Sequence, residues 1–399
     1  MRRIYLDYAA TTPLDSEVVK AMKPFLKKGT SGIFGNASSL HTRGQEASRA
    51  IDNARVVIAK ACAAQQGEVI FAGSATEANN LMIRGALKAY FRNQDSCGRV
   101  PKIIVSSVEH PSILKTVEDL EKDGSAVIER VSVDKNGVVD VGALERALDQ
   151  DTILVSVQWV NNEVGAIQPI EKIGNTIRTY KSTHSQDIYP LFHSDASQAA
   201  GLFDCNMTRA GLDAMTLSSH KIYGPKGVGA LLFSQEAQRK NALVPLVTGG
   251  SQEGGFRAGT LNTAGIVGFG RAMERCVENR EHDGVHLRML QERLRKGLGI
   301  LKEVEYYVEE ELSSPHICAM FIPSLSQPVV ACDIAGIEVS SGSACKQRKI
   351  EPSHTLVAMG YEMDRVTRSM RVSMGRMTTK KEIDEAIKRI ILVVRSRIS

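Results

Sequence analysis

Residues 214–233 read AMTLSSHKIYGPKGVGALLF, two short apolar runs joined by a polar turn. The first run stops at Ser218-Ser219-His220-Lys221, the chain turns through Gly224, Pro225, Gly227 and Gly229, and a second run follows through Leu231 and Phe233. Gly and Pro at this density break regular structure, so the pattern predicts strand, turn, strand. A lysine held on such a turn between buried strands is desolvated, which lowers its pKa and frees its amine for Schiff-base chemistry. Ser218 and His220 are donor types that hold a phosphate beside it. The same residues taken alone also describe a solvated turn lysine; the rest of the chain decides between the two.

Upstream lie four more strand-like runs, KIIVSS (102–107), SAVIERVSV (125–133), TILVSVQWV (152–160) and DIYPLFHSDAS (187–197), separated by helical patterns. Near-continuous apolar strands alternating with helices predict a mainly parallel sheet covered on both faces. Ligands of such sheets bind at the carboxyl ends of the strands. Polar clusters sit at those ends: Glu109-His110, Asn161-Asn162-Glu163, Asp195 with Gln198, and the Lys221 turn itself. Residues 69–80, VIFAGSATEANN, add a strand, a small-residue turn and a helix starting near Thr76. That order builds an anion site from free backbone N–H groups and the helix dipole.

On the amino-terminal side a helix is expected with its cap at Asp15 or Ser16, then a polar loop, FGNASSLHTRG (34–44), and a second helix over 45–63. Beyond Lys221 a Gly-rich stretch, TGGSQEGGFRAGT (248–260), precedes a long helical region over 263–302. The composition shift there suggests a boundary: a large domain over 15–262, and a smaller α+β domain from 1–14 with 263–399. The smaller unit has strands near HICAMFI (316–322) and MRVSM (370–374) and a helix-like run, VVACDIAGI (329–337). Its last helix opens at Thr379 with Glu382 completing a capping box, and carries Ile383, Ile387, Ile390, Ile391 and Val394 on one face.

With 399 residues, 43% hydrophobic and 24% charged, the composition is that of an ordinary soluble enzyme. A net charge of +5 without a basic run gives no reason to expect direct nucleic-acid binding. No apolar stretch approaches the roughly 18 to 20 residues of a membrane helix, and the opening MRRIYLDYAATTPLD lacks an apolar signal core. The seven cysteines, at 62, 97, 205, 276, 318, 332 and 345, form no CxxC pair, so neither a disulfide framework nor a zinc ribbon is expected. The expected compartment is the reducing cytoplasm. His282 and His286 lie one helical turn apart, but with Gly284 between them and no third ligand they predict no metal site.

Nine motifs run in order along nearly the whole chain: YLDYAATTPL, GSATEANN, SVEHPSI, NNEVGAIQPI, HSDASQAAG, SSHKIYGPKGVGALL, RAGT, SGSAC and MRVSMGRMTTKKEID. Their order and spacing resemble those of cysteine desulfurases in the class V aminotransferase branch of enzymes using pyridoxal 5'-phosphate. The resemblance implies the α/β fold type I of these transferases, like aspartate aminotransferase, with a large mainly parallel-sheet domain and a smaller one. It implies a homodimer that takes sulfur from L-cysteine, leaves L-alanine, and hands a persulfide to an iron–sulfur scaffold or tRNA-thiolation protein.

By the same resemblance, Lys221 matches the lysine that anchors the cofactor and moves protons at the substrate α-carbon. Asp195 matches the carboxylate under the pyridine nitrogen, and Gln198 and Asn162 the groups that hydrogen-bond the ring oxygen. Asn161 is equally suited by chemistry; the motif alignment alone prefers Asn162. His110 matches the histidine over the ring face, an acid or base. Ala75, Thr76, Ser218 and His220 match the phosphate cup, Thr260 a phosphate contact from the partner subunit, and Arg371 the grip on the substrate carboxylate. Cys345 matches the nucleophile that takes the sulfur, in a setting followed by Lys346, Arg348 and Lys349 whose charges favour the thiolate. The sequence departs from the family in the order Gly73-Ser74 and in KQRKIEP after Cys345, where small and hydroxyl residues are usual. Selenocysteine lyase, class V transaminase and a non-catalytic sulfur-relay protein remain as alternatives.

Overall fold

The computed structural model describes residues 2–93, 99–185, 187–341 and 352–396, so Cys97 and Cys345 lie outside the described residues. In chain order the strands are β1 (Ile4–Tyr5), β2 (Val69–Ala72), β3 (Lys102–Ser106), β4 (Val127–Val131), β5 (Thr152–Ser156), β6 (Leu191–Asp195), β7 (Ala214–Ser218), β8 (Gly229–Phe233), β9 (Glu305–Tyr306), β10 (Ile317–Phe321), β11 (Ile337–Glu338) and β12 (Ser369–Ser373).

The central sheet has seven strands in the order β2-β8-β7-β6-β5-β3-β4. All neighbours pair in parallel except β8, which runs antiparallel to both β2 and β7. The quoted strand-turn-strand stretch is therefore the step from β7 to its antiparallel neighbour β8. Strands β5 to β8 are buried at every residue, as their unbroken apolar runs require. Edge strand β4, VIERV, exposes three of its five residues.

Two apolar layers flank the sheet. One holds Phe71, Phe192, Val155 and the helices Thr42–Ala61 and Ile170–Thr183. The other holds Ile70, Phe233 and Ile103 against the helices Ala75–Asn93 and Pro111–Lys122. Each fully buried Phe or Ile side chain contributes about 1.5 to 3 kcal/mol. The helix Thr42–Ala61 starts earlier than its apolar period suggests, because the His41 side chain caps it by accepting from Gly44 N–H.

The carboxyl-terminal part pairs β12, β10 and β9 antiparallel, while β1 pairs with β11 in parallel. A third apolar cluster unites Ile4 and Leu6 with Leu287, Leu290 and Leu294 of the helix Thr263–Leu298, and with Ile383, Ile387 and Ile390 of the last helix. That last helix, Lys380–Arg395, carries the expected capping box: Thr379 accepts from Glu382 N–H and Glu382 accepts from Thr379 N–H. The VVACDIAGI run divides into a helix, Pro328–Ile334, and strand β11, with a left-handed Gly336 between them. No helix among the described residues is long and apolar enough to cross a membrane.

Candidate active site

The carboxyl ends of β2, β3, β5, β6 and β7 open into one cleft of about 570 Å³, lined by Ala75, Thr76, His110, Asn162, Asp195, Gln198, Ser218, His220, Lys221 and Arg371. Ten of the residues predicted from sequence thus meet at one place.

Lys221 ends a single 3-10 turn, Ser219–Lys221, that follows β7. Its amine donates to the carbonyls of Ala9 and, at 2.9 Å, Ala10, in the amino-terminal segment. Burial, and then the positive charge of Arg371, lower its pKa to about 8. The turn is fastened to the same segment: Thr12 N–H donates to the His220 carbonyl at 3.0 Å, and Tyr223 N–H to Thr12 Oγ1 at 2.7 Å.

Beside Lys221 lies the start of the helix Ala75–Asn93. Ser74 Oγ accepts from Glu77 N–H and the Ser74 carbonyl from Ala78 N–H, both at 3.1 Å. Ser74 therefore acts as the cap, and the helix begins one residue before the expected Thr76. The Glu77 carboxylate folds back to Gly73 N–H at 2.8 Å and pairs with Arg257 at 2.8 Å. Gly229 has to be glycine here: a Cβ on it would sit 2.7 Å from the Ser74 carbonyl carbon and 2.8 Å from Ala75 N. Ser218 and His220 complete this side; His220 Nδ1 lies 3.1 Å from Thr11 Oγ1, and burial lowers its pKa to about 4, so the ring is neutral.

Asp195, at the end of β6, is 8% exposed. One oxygen accepts from Ser197 N–H at 2.9 Å and the other from Asn79 Nδ2 at 2.8 Å. Among the described residues it has no ion pair, so its charge is held by dipoles and faces the cleft ready for a cationic group. His110 caps the helix Pro111–Lys122, with Pro111 at the first helical position. Its Nδ1 accepts from Ser112 N–H at 3.1 Å, and burial lowers its pKa. In the neutral ring the proton therefore sits on Nε2. Glu109, directly before it, is buried with its pKa raised well above the carboxylate range by desolvation, and accepts from Gln158 N–H at 2.7 Å.

The two adjacent asparagines separate. Asn161 is 0% exposed; its Oδ1 accepts from the backbone N–H groups of Glu163 and Val164, and its Nδ2 donates to the Val108 carbonyl. It shapes the loop, while Asn162 lines the cleft. The Asn162 carbonyl accepts from Arg371 Nη1 at 2.6 Å, and Asp7 Oδ1 accepts from Arg371 Nη2 at 2.7 Å. Arg371, on β12, is 4% exposed and its Nε has no partner among the described residues. The guanidinium is thus clamped on one side and has donors left on the other. Gln198 donates from Nε2 to the Ala9 carbonyl at 2.9 Å.

Asp7, Asn79, His316 and the carbonyls of Ala9 and Ala10 were not singled out as functional from the sequence. Asp7 and Ala9 fall within the YLDYAATTPL motif, which was the available signal; His316 gave none. Thr260 is exposed and does not line the cleft. Its loop is anchored by Glu253, whose carboxylate pairs with Arg55 at 2.6 Å and accepts from Phe71 N–H at 2.7 Å. Among the described residues no group of side chains could hold a metal. His282 and His286 stack 6.3 Å apart, and His286 Nε2 is spent on the Thr378 carbonyl at 2.8 Å.

The aminotransferase class-V profile matches residues 4–386. The chain is 40% identical over 402 residues to the putative cysteine desulfurase IscS 1 of Bacillus subtilis, covering 99% of each. It is 38% identical to the cysteine desulfurase IscS of Neisseria meningitidis, covering 96% of this chain and 90% of that one. Among solved structures, a NifS-like protein superposes with a TM-score of 0.88 at 31% identity, over 99% of this chain and all of that one. SspA in complex with cysteine superposes with a TM-score of 0.78 at 32% identity, over 94% of this chain and all of that one.

Proposed function

Since the chain belongs to the aminotransferase class-V family, in its cysteine desulfurase branch, we infer that it removes sulfur from L-cysteine, releases L-alanine and carries the sulfur as a persulfide on Cys345. The observation that carries this reading is the meeting of Lys221, Asp195 and Arg371 in one cleft beside a helix N-terminus.

Pyridoxal 5'-phosphate fits that cleft by the chemistry of its donors. The N-terminus at Ala75-Thr76, with Ser218 and His220, suits a phosphate. Asp195, with no ion pair among the described residues, suits a protonated ring nitrogen. Gln198 and Asn162 suit the ring oxygen, and Lys221 the aldehyde. When bound, the cofactor supplies an electron sink for the substrate α-carbon.

The chain's own groups then divide the work. Lys221, with its pKa near 8, exchanges between amine and ammonium close to neutral pH and serves as nucleophile and proton carrier. Arg371, fixed by Asp7 and the Asn162 carbonyl, turns its remaining donors to the amino-acid carboxylate. His110 offers an Nε2–H to the leaving region of the substrate. The Cys345 thiolate attacks the substrate sulfur; the S–S bond forms as the C–S bond breaks, and the released electron pair ends, with a proton, on the alanine methyl carbon. The five described cysteines are all buried, and burial raises the thiol pKa of Cys276 and Cys318 to about 11, which leaves them poor nucleophiles.

The same reading covers the remaining assignments. Residues 15–262 are taken as the cofactor-holding domain, and 1–14 with 263–399 as the smaller one bearing the cysteine. Thr260, exposed on an anchored loop, is assigned to the phosphate site of a second copy, making the working unit a homodimer. Sulfur passes to an iron–sulfur scaffold or tRNA-thiolation protein, and the compartment is the cytoplasm, in keeping with free cysteines.

The experiment is to follow alanine and sulfide released from L-cysteine with dithiothreitol present. Equal yields are expected; pyruvate and ammonia in place of alanine would overturn the reading. Arg371→Lys is expected to lower kcat/KM for L-cysteine by about 100-fold, the order of a lost charge-assisted pair. Most of that loss should lie in KM, as an initial-rate series in L-cysteine would reveal.

A further inference from the structure

His316 stands directly before β10, is 8% exposed, and belongs to none of the motifs. Its Nδ1 lies 2.6 Å from Ser314 Oγ and its Nε2 3.3 Å from Gln198 Oε1. Gln198 in turn donates from Nε2 to the Ala9 carbonyl at 2.9 Å, the same carbonyl that receives the Lys221 amine.

The direction of every hydrogen bond in this row is fixed by its far end. The Ala9 oxygen only accepts, so Gln198 has to present its nitrogen there and its oxygen to His316. A flipped amide would set two oxygens against each other. An oxygen facing Nε2 requires the His316 proton on that nitrogen. Nδ1 is then a lone pair, and Ser314 Oγ–H donates to it. One N–H of Gln198 remains, and Gln198 lines the cleft.

We propose that His316 is a positioning residue: as a neutral imidazole protonated on Nε2, it fixes the orientation of the Gln198 amide, and so the hydrogen bond Gln198 gives to the cofactor's ring oxygen. The proposal rests on the reading of Gln198 as a cofactor contact. Its independent support is the one-way chain from Ser314 through His316 and Gln198 to Ala9. The charged groups around His316 act in the same sense. Burial first, then the charges of Arg371 and Lys221, push its pKa down to about 3, so the ring is neutral around neutral pH.

The test compares His316→Leu, which removes the donor, with His316→Gln, which keeps a side-chain N–H. Pyridoxal phosphate is titrated into each apoprotein, and the pH midpoint of the bound cofactor's absorption band is recorded. His316→Leu is expected to weaken binding about 5-fold, the order of one neutral hydrogen bond, and to shift that midpoint. His316→Gln is expected to restore both. Equal behaviour of the two variants, with far-UV circular dichroism of wild-type shape, would overturn the proposal. A second measurement needs neither cofactor nor a stable Leu variant: 15N spectra of histidine-labelled wild-type apoprotein, with His316 assigned by its loss in His316→Gln. An unchanging Nε2–H tautomer between pH 6 and 9 is expected; an Nδ1–H tautomer or a titration in that range would refute the geometry. Failure of the wild type to bind pyridoxal phosphate while the tautomer is as expected would instead overturn the functional reading, and the cofactor role with it.

Discussion

Lys221→Ala is expected to bind pyridoxal phosphate without the absorption band of a lysine-bound cofactor, and to lose roughly 10³-fold or more of its desulfurase rate, the scale of a lost proton-transfer group. Among the described residues it is the one lysine that lines the cleft, with its amine between the carbonyls of Ala9 and Ala10 and near Arg371. The check is a spectrum of each loaded protein with a parallel rate; an unchanged band would remove Lys221 from the account. A pH dependence accompanies it. Only the neutral amine attaches the aldehyde, and its folded-state pKa is lowered to about 8 from an ordinary 10.5. Cofactor uptake by the wild-type apoprotein should quicken as pH rises to about 8 and level off above it. For the same reason the unfolded chain binds more protons than the folded one between the two values. Wild-type apoprotein stability relative to Lys221→Met should therefore rise across that window, as paired denaturant titrations at pH 7.5 and 10 would measure.

Cys345→Ser is expected to do the opposite: keep the bound cofactor and its band, and lose sulfide release by about 10³-fold or more, because a serine hydroxyl is not ionised at working pH and cannot take up sulfur as a thiolate does. Arg371, the proposed grip on the substrate carboxylate, is held in place by Asp7 and the Asn162 carbonyl, neither of them a cysteine. L-cysteine should therefore still perturb the spectrum of the variant. Sulfide released at the wild-type rate would sink the assignment of Cys345.

What could be read from the sequence was what is local. Strands β5 and β7 announce themselves as apolar runs, and the Thr379–Glu382 capping box spans four consecutive residues. The cleft residues His110, Asp195 and Lys221 follow strand ends, where a parallel sheet gathers its polar groups. Pairings across long separations left no such mark. Asp7 meets Arg371 across 364 positions and His316 meets Gln198 across 118. No periodicity links such partners, so the motif around Asp7 does not point to Arg371, and His316 reads as the polar first residue of a strand. Asn161 and Asn162 are chemically identical neighbours; only the turn that spends the Asn161 side chain on its own loop tells them apart. The start of the helix Thr42–Ala61 was hidden differently, since a His41 cap among polar residues resembles ordinary loop sequence.

The most direct test of the central claim is a single turnover. One equivalent of L-cysteine is mixed with the pyridoxal phosphate-loaded protein without reductant, and the protein and the amino-acid product are analysed by mass spectrometry. The account predicts one alanine per added cysteine and the mass of one added sulfur on the peptide containing Cys345. Alanine without that mass, or the added sulfur on a peptide carrying Cys62, Cys205, Cys276, Cys318 or Cys332, would contradict it.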